Sequence, residues 1–240
     1  MKTWTTRSGL TVTQILGGRC NVFLIAQEER HCLVDSGHDN HFDALYNRLR
    51  RLGVTPQSLR ALILTHSHFD HAGNAARIKT AFATQLIIHE SETEYLRRGA
   101  NPVIQGSTPL TRFMTDAFLS QALLQRFCRY TPAACDIAAK ARLDLQALGI
   151  TACLLHTPGH TPGSLSIIVD ESIALTGDTL FGVFPGSTFP PFAADVPQMI
   201  ASWRKLLETG CSRFLPAHGC ERSRATLQRQ YEKYAKKFGL

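Results

Sequence analysis

Residues 61–71 read Ala61-Leu62-Ile63-Leu64-Thr65-His66-Ser67-His68-Phe69-Asp70-His71, and this stretch decides the fold. A short apolar run gives way to four side chains able to bind a metal within six positions, 66–71. The alternate spacing of His66, His68 and Asp70 puts three of them on one side of an extended segment, and His71 reaches in as the chain turns into a helix. Imidazole and carboxylate donors together suit zinc or another first-row metal. The competing reading, a polar loop between strand and helix, gives no reason to concentrate histidine.

Three further segments share the design of an apolar run, a small or turn residue and then a potential ligand. Cys153-Leu154-Leu155-His156-Thr157-Pro158-Gly159-His160 ends at His160, Ser172-Ile173-Ala174-Leu175-Thr176-Gly177-Asp178 at Asp178, and Arg213-Phe214-Leu215-Pro216-Ala217-His218 at His218. Each apolar run reads as a buried strand. The potential ligands therefore follow the carboxyl ends of strands, where layered α/β proteins place their sites. Seven such donors exceed the needs of one tetrahedral ion and suit two ions sharing a bridging carboxylate.

The order His-x-His-x-Asp-His, Thr-Pro-Gly-His, Gly-Asp and Pro-Ala-His-Gly resembles the metallo-β-lactamase superfamily of dinuclear metallohydrolases. Val34-Asp35-Ser36-Gly37 is similar to that family's Asp-x-Gly turn, and the likeness runs from about Asn21 to Gly219. Periodicity alone gives only an α/β protein; the resemblance implies a four-layered αβ/βα sandwich. It assigns His66, His68 and His160 to a first metal, Asp70, His71 and His218 to a second, and makes Asp178 the bridge. The implied nucleophile is a water or hydroxide between the ions, with Asp70 and Asp178 as the carboxylates on which catalysis depends. Two Zn2+ ions are expected, with iron or manganese as alternatives. Two cations would bring the pKa of a shared water near neutrality and polarise a carbonyl or phosphoryl oxygen. Asp35 is implied as a brace for the metal loop. No serine elbow, Cys-His nucleophile signature, P-loop or Gly-x-Gly-x-x-Gly fingerprint competes for the chemistry.

At 240 residues and 44% apolar, the chain can bury a full core, and residues 1–240 read as a single domain with a helical insert at about 99–135. Residues 1–9 lack the apolar core of a signal peptide, and no apolar stretch approaches bilayer-spanning length. Seven cysteines, an odd number without a Cys-x-x-Cys pair, do not form a disulfide framework, and the expected setting is cytoplasmic. Cys20, Cys32 and Cys153 read as buried apolar residues. Cys220 follows His218 by two positions and could lie near the metals. His31, His38, His41, His89 and His156 match no ligand position and read as surface or satisfied core histidines.

Repeated strands and helices organise both halves. A helix carries Phe42, Leu45, Leu49 and Leu52 on one face, a short one runs from Ala72 to Lys79, and a charged one lies near Glu90–Arg98. In the second half one helix carries Val196, Met199, Ile200, Trp203, Leu206 and Leu207, and the last carries Leu227, Tyr231, Tyr234 and Phe238. In the insert, Phe113, Met114, Phe118, Leu119, Leu123, Leu124 and Phe127 could form a lid or a homodimer surface, or simply pack on their own domain. Residues 181–192, with Phe181, Phe184, Phe189 and Phe192, follow Asp178 and form a second candidate wall for a small-molecule pocket. The Tyr95 or Tyr130 hydroxyl, flanking the insert, could reach a tetrahedral intermediate.

The net charge of +7 invites a nucleic-acid reading. Its most visible cluster, Arg222, Arg224, Arg229, Lys233, Lys236 and Lys237, alternates with an apolar stripe on the terminal helix, and a solvated face explains it. Neither nucleic acid nor membrane is expected as a partner, and steering of an anionic small substrate is the better functional use.

Departures from particular branches narrow the function. True β-lactamases of this fold usually lack an aspartate at the Asp178 position, and the diiron flavoproteins carry a glutamate where His68 stands. Glyoxalase II enzymes add a longer carboxyl-terminal helical region, whereas here only about twenty residues follow His218. The expected activity is metal-dependent hydrolysis of a small ester, thioester or lactone. A mononuclear iron persulfide dioxygenase, a non-catalytic binding protein and a nuclease remain as alternatives.

Overall fold

In a computed structural model, which describes residues 1–117, 123 and 126–240, two β-sheets face each other and helices cover their outer sides. The first sheet lays β1 (Thr3–Thr5), β2 (Thr11–Leu16), β3 (Val22–Gln27), β4 (Arg30–Val34), β5 (Leu59–Ile63), β6 (Gln85–His89) and β7 (Ile137–Ala139) side by side in chain order. It is antiparallel from β1 to β4 and parallel from β4 to β7. The second sheet contains β8 (Arg142–Asp144), β9 (Ala152–His156), β10 (Leu165–Val169), β11 (Ile173–Gly177), β12 (Arg213–Pro216) and β13 (Arg222–Ser223), also in chain order. Its one parallel pairing among the described residues joins β11 to β12.

The described α-helices are α1 (Phe42–Arg51), α2 (Phe69–Ala72), α3 (Ala75–Phe82), α4 (Thr93–Arg98), α5 (Pro109–Ala117), α6 (Val196–Leu207) and α7 (Arg224–Phe238). A parallel pairing needs a crossover, and α1, α3 and α6 supply three of them. Strand side chains alternate between two apolar layers. Ala61 and Ile63 of β5 face Ile167, Val169, Leu175 and Leu215 between the sheets. Leu62 and Leu64 turn outward to Leu45, Leu49, Ile78 and Phe82 of α1 and α3. Beyond the second sheet, Ile168, Ala174 and Phe214 meet Met199, Ile200, Trp203 and Leu206 of α6 and Leu227 of α7. The layers therefore run helix, sheet, sheet, helix, the four-layered αβ/βα sandwich that the family resemblance implies.

Several elements depart from the sequence reading. The helix expected from Ala72 to Lys79 is two helices broken at Gly73-Asn74. There the chain presses on an earlier turn: a β-carbon on Gly73 would stand 2.7 Å from both Asp39 N and Gly37 O, and the Asn74 amide donates to Ser36 O and His38 O. The terminal residues of two predicted stripes, Leu52 and Phe238, are exposed. The basic cluster is not wholly a solvated face. Arg222 donates to Ser187 O and Phe184 O, and Arg224 to Thr209 O and Cys211 O, so both tie loops together. Arg229, Lys233, Lys236 and Lys237 do face solvent.

In the segment read as an insert, Leu110, Phe113, Met114, Leu123 and Phe127 are exposed. Phe118, Leu119 and Leu124 lie outside the described residues. No helix among the described residues is long and apolar enough to cross a membrane.

Candidate metal centre

All seven sequence-predicted donors meet along one rim of the sandwich. The chain leaves β5 at Ile63, places His66 and His68 on the following loop, and enters α2 with Asp70 and His71 in its only turn. Asp70 therefore belongs to a helix and not to the extended segment that the alternate spacing suggested. His160 lies on the turn after β9, Asp178 directly follows β11, and His218 stands two residues beyond β12. The first sheet contributes four donors and the second three.

The donor atoms form overlapping groups. His66 Nε2 and His160 Nε2 lie 3.0 and 3.1 Å from His68 Nδ1. Asp70, His71 and His218 form a second trio with donor atoms within 4.8 Å of one another. Asp178 stands between the groups, with Oδ2 3.6 Å from His160 Nε2. Its Oδ1 lies 3.5 Å from His71 Nε2 and 3.3 Å from His218 Nε2.

Packing between the halves sets this convergence. The Leu165 N–H donates to Thr65 O at 2.8 Å, joining the second sheet to the His66 loop. Asn21, just before β3, donates its amide to Pro216 O and Gly219 O on either side of His218. Helix α6 anchors the other two loops: Ser202 donates to Pro158 O, and the Trp203 indole to Thr179 O. Gly177 has a φ of 49°, and a β-carbon there would lie 2.7 Å from the Thr65 side chain, so only glycine permits this approach.

Polar partners behind the donors orient them. The Asp35 carboxylate accepts from Thr65 N at 2.8 Å and from the Thr65 hydroxyl at 2.9 Å. His71 Nδ1 lies 2.9 Å from Asp35, and His66 Nδ1 lies 3.1 Å from Thr65 Oγ1. With each Nδ1–H donated outward, both Nε2 atoms are turned to the rim, the orientation expected of metal-binding histidines. His160 does the same through Nδ1–H to Phe192 O at 2.9 Å. Asp35 thus takes the bracing place the sequence suggested. Cys20, read as an ordinary apolar residue, puts its thiol 3.8 Å from His71 Nδ1. Exposed Cys220 joins none of the donor groups.

The electrostatics divide the cluster. Burial, reinforced by neighbouring imidazoles, holds His66 and His68 well below the ordinary histidine range, and burial also lowers His160. These three are neutral donors. His71 moves well upward: burial opposes this, but Cys20, Asp35, Asp178 and Asp70 outweigh it. His218 is raised against its burial by Asp178. Asp178 stays ionised far below the carboxylate range because His218 and His71 overcome its desolvation.

The residues fit a cation. His71 Nε2 and Asp178 Oδ1 are buried without a hydrogen-bond partner, although both point into the cluster. Buried polar atoms left unsatisfied are costly, and a bound ion would satisfy both. The nitrogen and carboxylate set matches zinc or a similar first-row metal.

A cavity of about 320 Å³ opens onto this cluster. His68, Asp70, His160, Asp178 and His218 form its floor, and Phe69, Ile104, Phe181, Pro190, Pro191 and Phe192 are among its walls. Of the wall expected after Asp178, Phe181 and Phe192 line the cavity, whereas Phe184 is exposed and Phe189 packs on Trp203 and Tyr234. From the insert, Ile104 and Cys128 reach the cavity, whereas exposed Phe113, Met114 and Phe127 are not among its lining. Neither flanking tyrosine lines it: Tyr130 is buried with its hydroxyl donated to Ala100 O, and Tyr95 is partly exposed. Of the remaining histidines, His89 stacks on His156 with ring centroids 4.0 Å apart.

Sequence reasoning missed Glu92 and Asn101. Glu92 lay inside a segment that read only as a charged helix, yet it is fully buried against the His66–His68 loop. Asn101 accepts from Phe69 N at 2.8 Å and so holds the start of α2. Each is distant in sequence from what it holds, and no local signal marks either residue.

Comparison with known proteins agrees with this architecture. Residues 15–218 match the Metallo-beta-lactamase superfamily. A probable metallo-hydrolase of Methanocaldococcus jannaschii is 29% identical over 207 residues, covering 85% of this chain and 89% of the relative. Hydroxyacylglutathione hydrolase GloC of Haemophilus influenzae is 28% identical over 191 residues, 78% of each chain. In fold, a metallo-β-lactamase of Cronobacter sakazakii superposes with a TM-score of 0.69 at 17% identity, covering 100% of this chain and 93% of that one. The chain belongs to the metallo-β-lactamase superfamily.

Proposed function

We propose that the protein is a dinuclear zinc hydrolase of small esters, thioesters or lactones whose acyl part is uncharged and apolar. The carrying observation is the cavity: ionisable donors on one side, and aromatic, proline and isoleucine walls around them. In this reading His66, His68 and His160 would hold one ion and Asp70, His71 and His218 the other, with Asp178 the carboxylate shared by the two groups. When bound, the ions supply Lewis acidity for activating a water and polarising the scissile carbonyl. Asp70 and Asp178 are the carboxylates facing the cavity; Asp70 can accept the proton that the attacking water loses, while Asp178, held ionised by His218 and His71, serves both donor groups. Phe181, whose ring lies 5.3 Å from that of His218, together with Phe192 and Ile104, excludes water and seats the acyl group. The hydrolase GloC among the relatives supports the thioester arm of this reading.

Among the described residues the cavity lining includes no lysine or arginine, which supports a neutral substrate in place of the anionic one that the overall charge suggested. The test is zinc and iron content by mass spectrometry, followed by turnover of matched thioesters and lactones with neutral and carboxylated acyl groups. Two zinc ions per chain and preference for neutral substrates are expected. One iron per chain and oxygen uptake with a persulfide would replace this reading with the dioxygenase.

A further inference from the structure

Glu92 follows β6 and immediately precedes α4, at the rim where the two halves meet. Its side chain is fully buried. Oε2 accepts from Ser67 N at 3.1 Å and also from the Ser67 hydroxyl. Oε1 accepts from Gly163 N at 3.1 Å. Ser67 lies between His66 and His68, and Gly163 lies three residues beyond His160. One carboxylate therefore ties together the two loops that carry the all-histidine trio. The contact is close on both sides: a β-carbon on Gly163 would lie 2.3 Å from Glu92 Cγ.

We propose that Glu92 is a positioning residue of the metal centre, fixing the separation of His66 and His68 from His160. The inference rests on the metal-binding reading above. A carboxylate suits the place because all three partners are donors and it offers only acceptors. Glutamine keeps the shape but must turn an N–H₂ toward a donor on one side. Among the described residues Glu92 accepts no hydrogen bond from the second metal group, Asp70, His71 and His218, so the effect should fall on the first ion.

The experiment is zinc competition with a chromophoric chelator on wild type, Glu92→Gln, Gly163→Ala, His68→Ala and the His68→Ala/Glu92→Gln double variant. Thermal melts of the metal-free proteins run alongside. Glu92→Gln and Gly163→Ala are expected to weaken one zinc equivalent by about 10-fold to 100-fold, the range found for residues that orient metal ligands. The other equivalent should change little. In the His68→Ala background Glu92→Gln should add less than about threefold, because the loop it positions no longer carries its ligand. Equal weakening of both equivalents, unchanged affinity, or an undiminished effect without His68 overturns the proposal. Wild type binding a single zinc refutes the dinuclear reading but leaves the Glu92 test intact: a tenfold loss on that ion supports it, and no loss overturns it.

Discussion

His71 bridges two carboxylates: its Nδ1 lies 2.9 Å from Asp35 and its Nε2 3.5 Å from Asp178. The ring is fully buried, so its orientation rests on those neighbours. Asp35 itself adopts a left-handed φ of 61°, which turns its side chain under Thr65 and His71. Asparagine tolerates this conformation, so Asp35→Asn should keep the fold. Its amide would, however, present N–H₂ to one of three donors. A loss of about 10-fold to 100-fold in metal affinity is expected, measured by chelator competition with circular dichroism as the fold control. Unchanged affinity would show that something other than Asp35 sets the His71 ring.

Asp178 is the shared neighbour of His71, His160 and His218. Asp178→Ala should retain the secondary structure while losing metal and reducing hydrolysis at least about 1,000-fold, the scale on which removal of a central catalytic group acts. Turnover near wild type would eliminate the bridged two-ion mechanism.

Gly177 tests the contact between β11 and the metal loop. In Gly177→Ala the β-carbon would enter the space of Thr65 at 2.7 Å while the backbone keeps a positive φ. The two penalties should lower stability by about 2 kcal/mol or more, read from urea denaturation. Metal affinity should fall with it, since Thr65 carries the link from Asp35 to His66.

The stacked pair His89 and His156 predicts a pH dependence away from the metal centre. Burial, followed by the neighbouring His156, lowers the His89 pKa to about 4. The folded protein therefore resists a proton that the unfolded chain accepts near pH 6.5. The unfolded state binds more protons between these values, so the contribution to stability is full above pH 6.5 and declines as pH falls toward 4. The loss is at most roughly 3 kcal/mol. Comparing wild type with His89→Phe in urea melts at several pH values isolates it, and the variant should show a shallower decline. Parallel curves would contradict the assignment.

Much of this arrangement was legible in the sequence because each donor closes an apolar strand. Buried strands such as β5 and β11 are short continuous runs, and a histidine or aspartate immediately after one stands out. The phase of the metal loop was less legible. Alternation suggested an extended Asp70, but the chain enters α2 at Phe69, whose N–H is taken by Asn101. The break at Gly73-Asn74 depends on contacts with the Ser36–Asp39 turn that no local periodicity encodes. Glu92 was invisible for the same reason: a glutamate in the charged stretch Glu90–Arg98 reads as surface until the fold carries Gly163 against it.

The rim is assembled from both ends of the chain, with four proposed donors supplied before β6 and three only after β9. A nascent chain that has reached residue 150 holds His66, His68, Asp70 and His71 but has no counterpart of Asp178 to separate two cations. In the proposed two-ion reading, full loading would await synthesis of β12 and His218, so metal capture would report the arrival of the last donor from the second sheet. An ion held by loops of both sheets would also act as a clasp, and its removal should loosen one half against the other before either sheet melts.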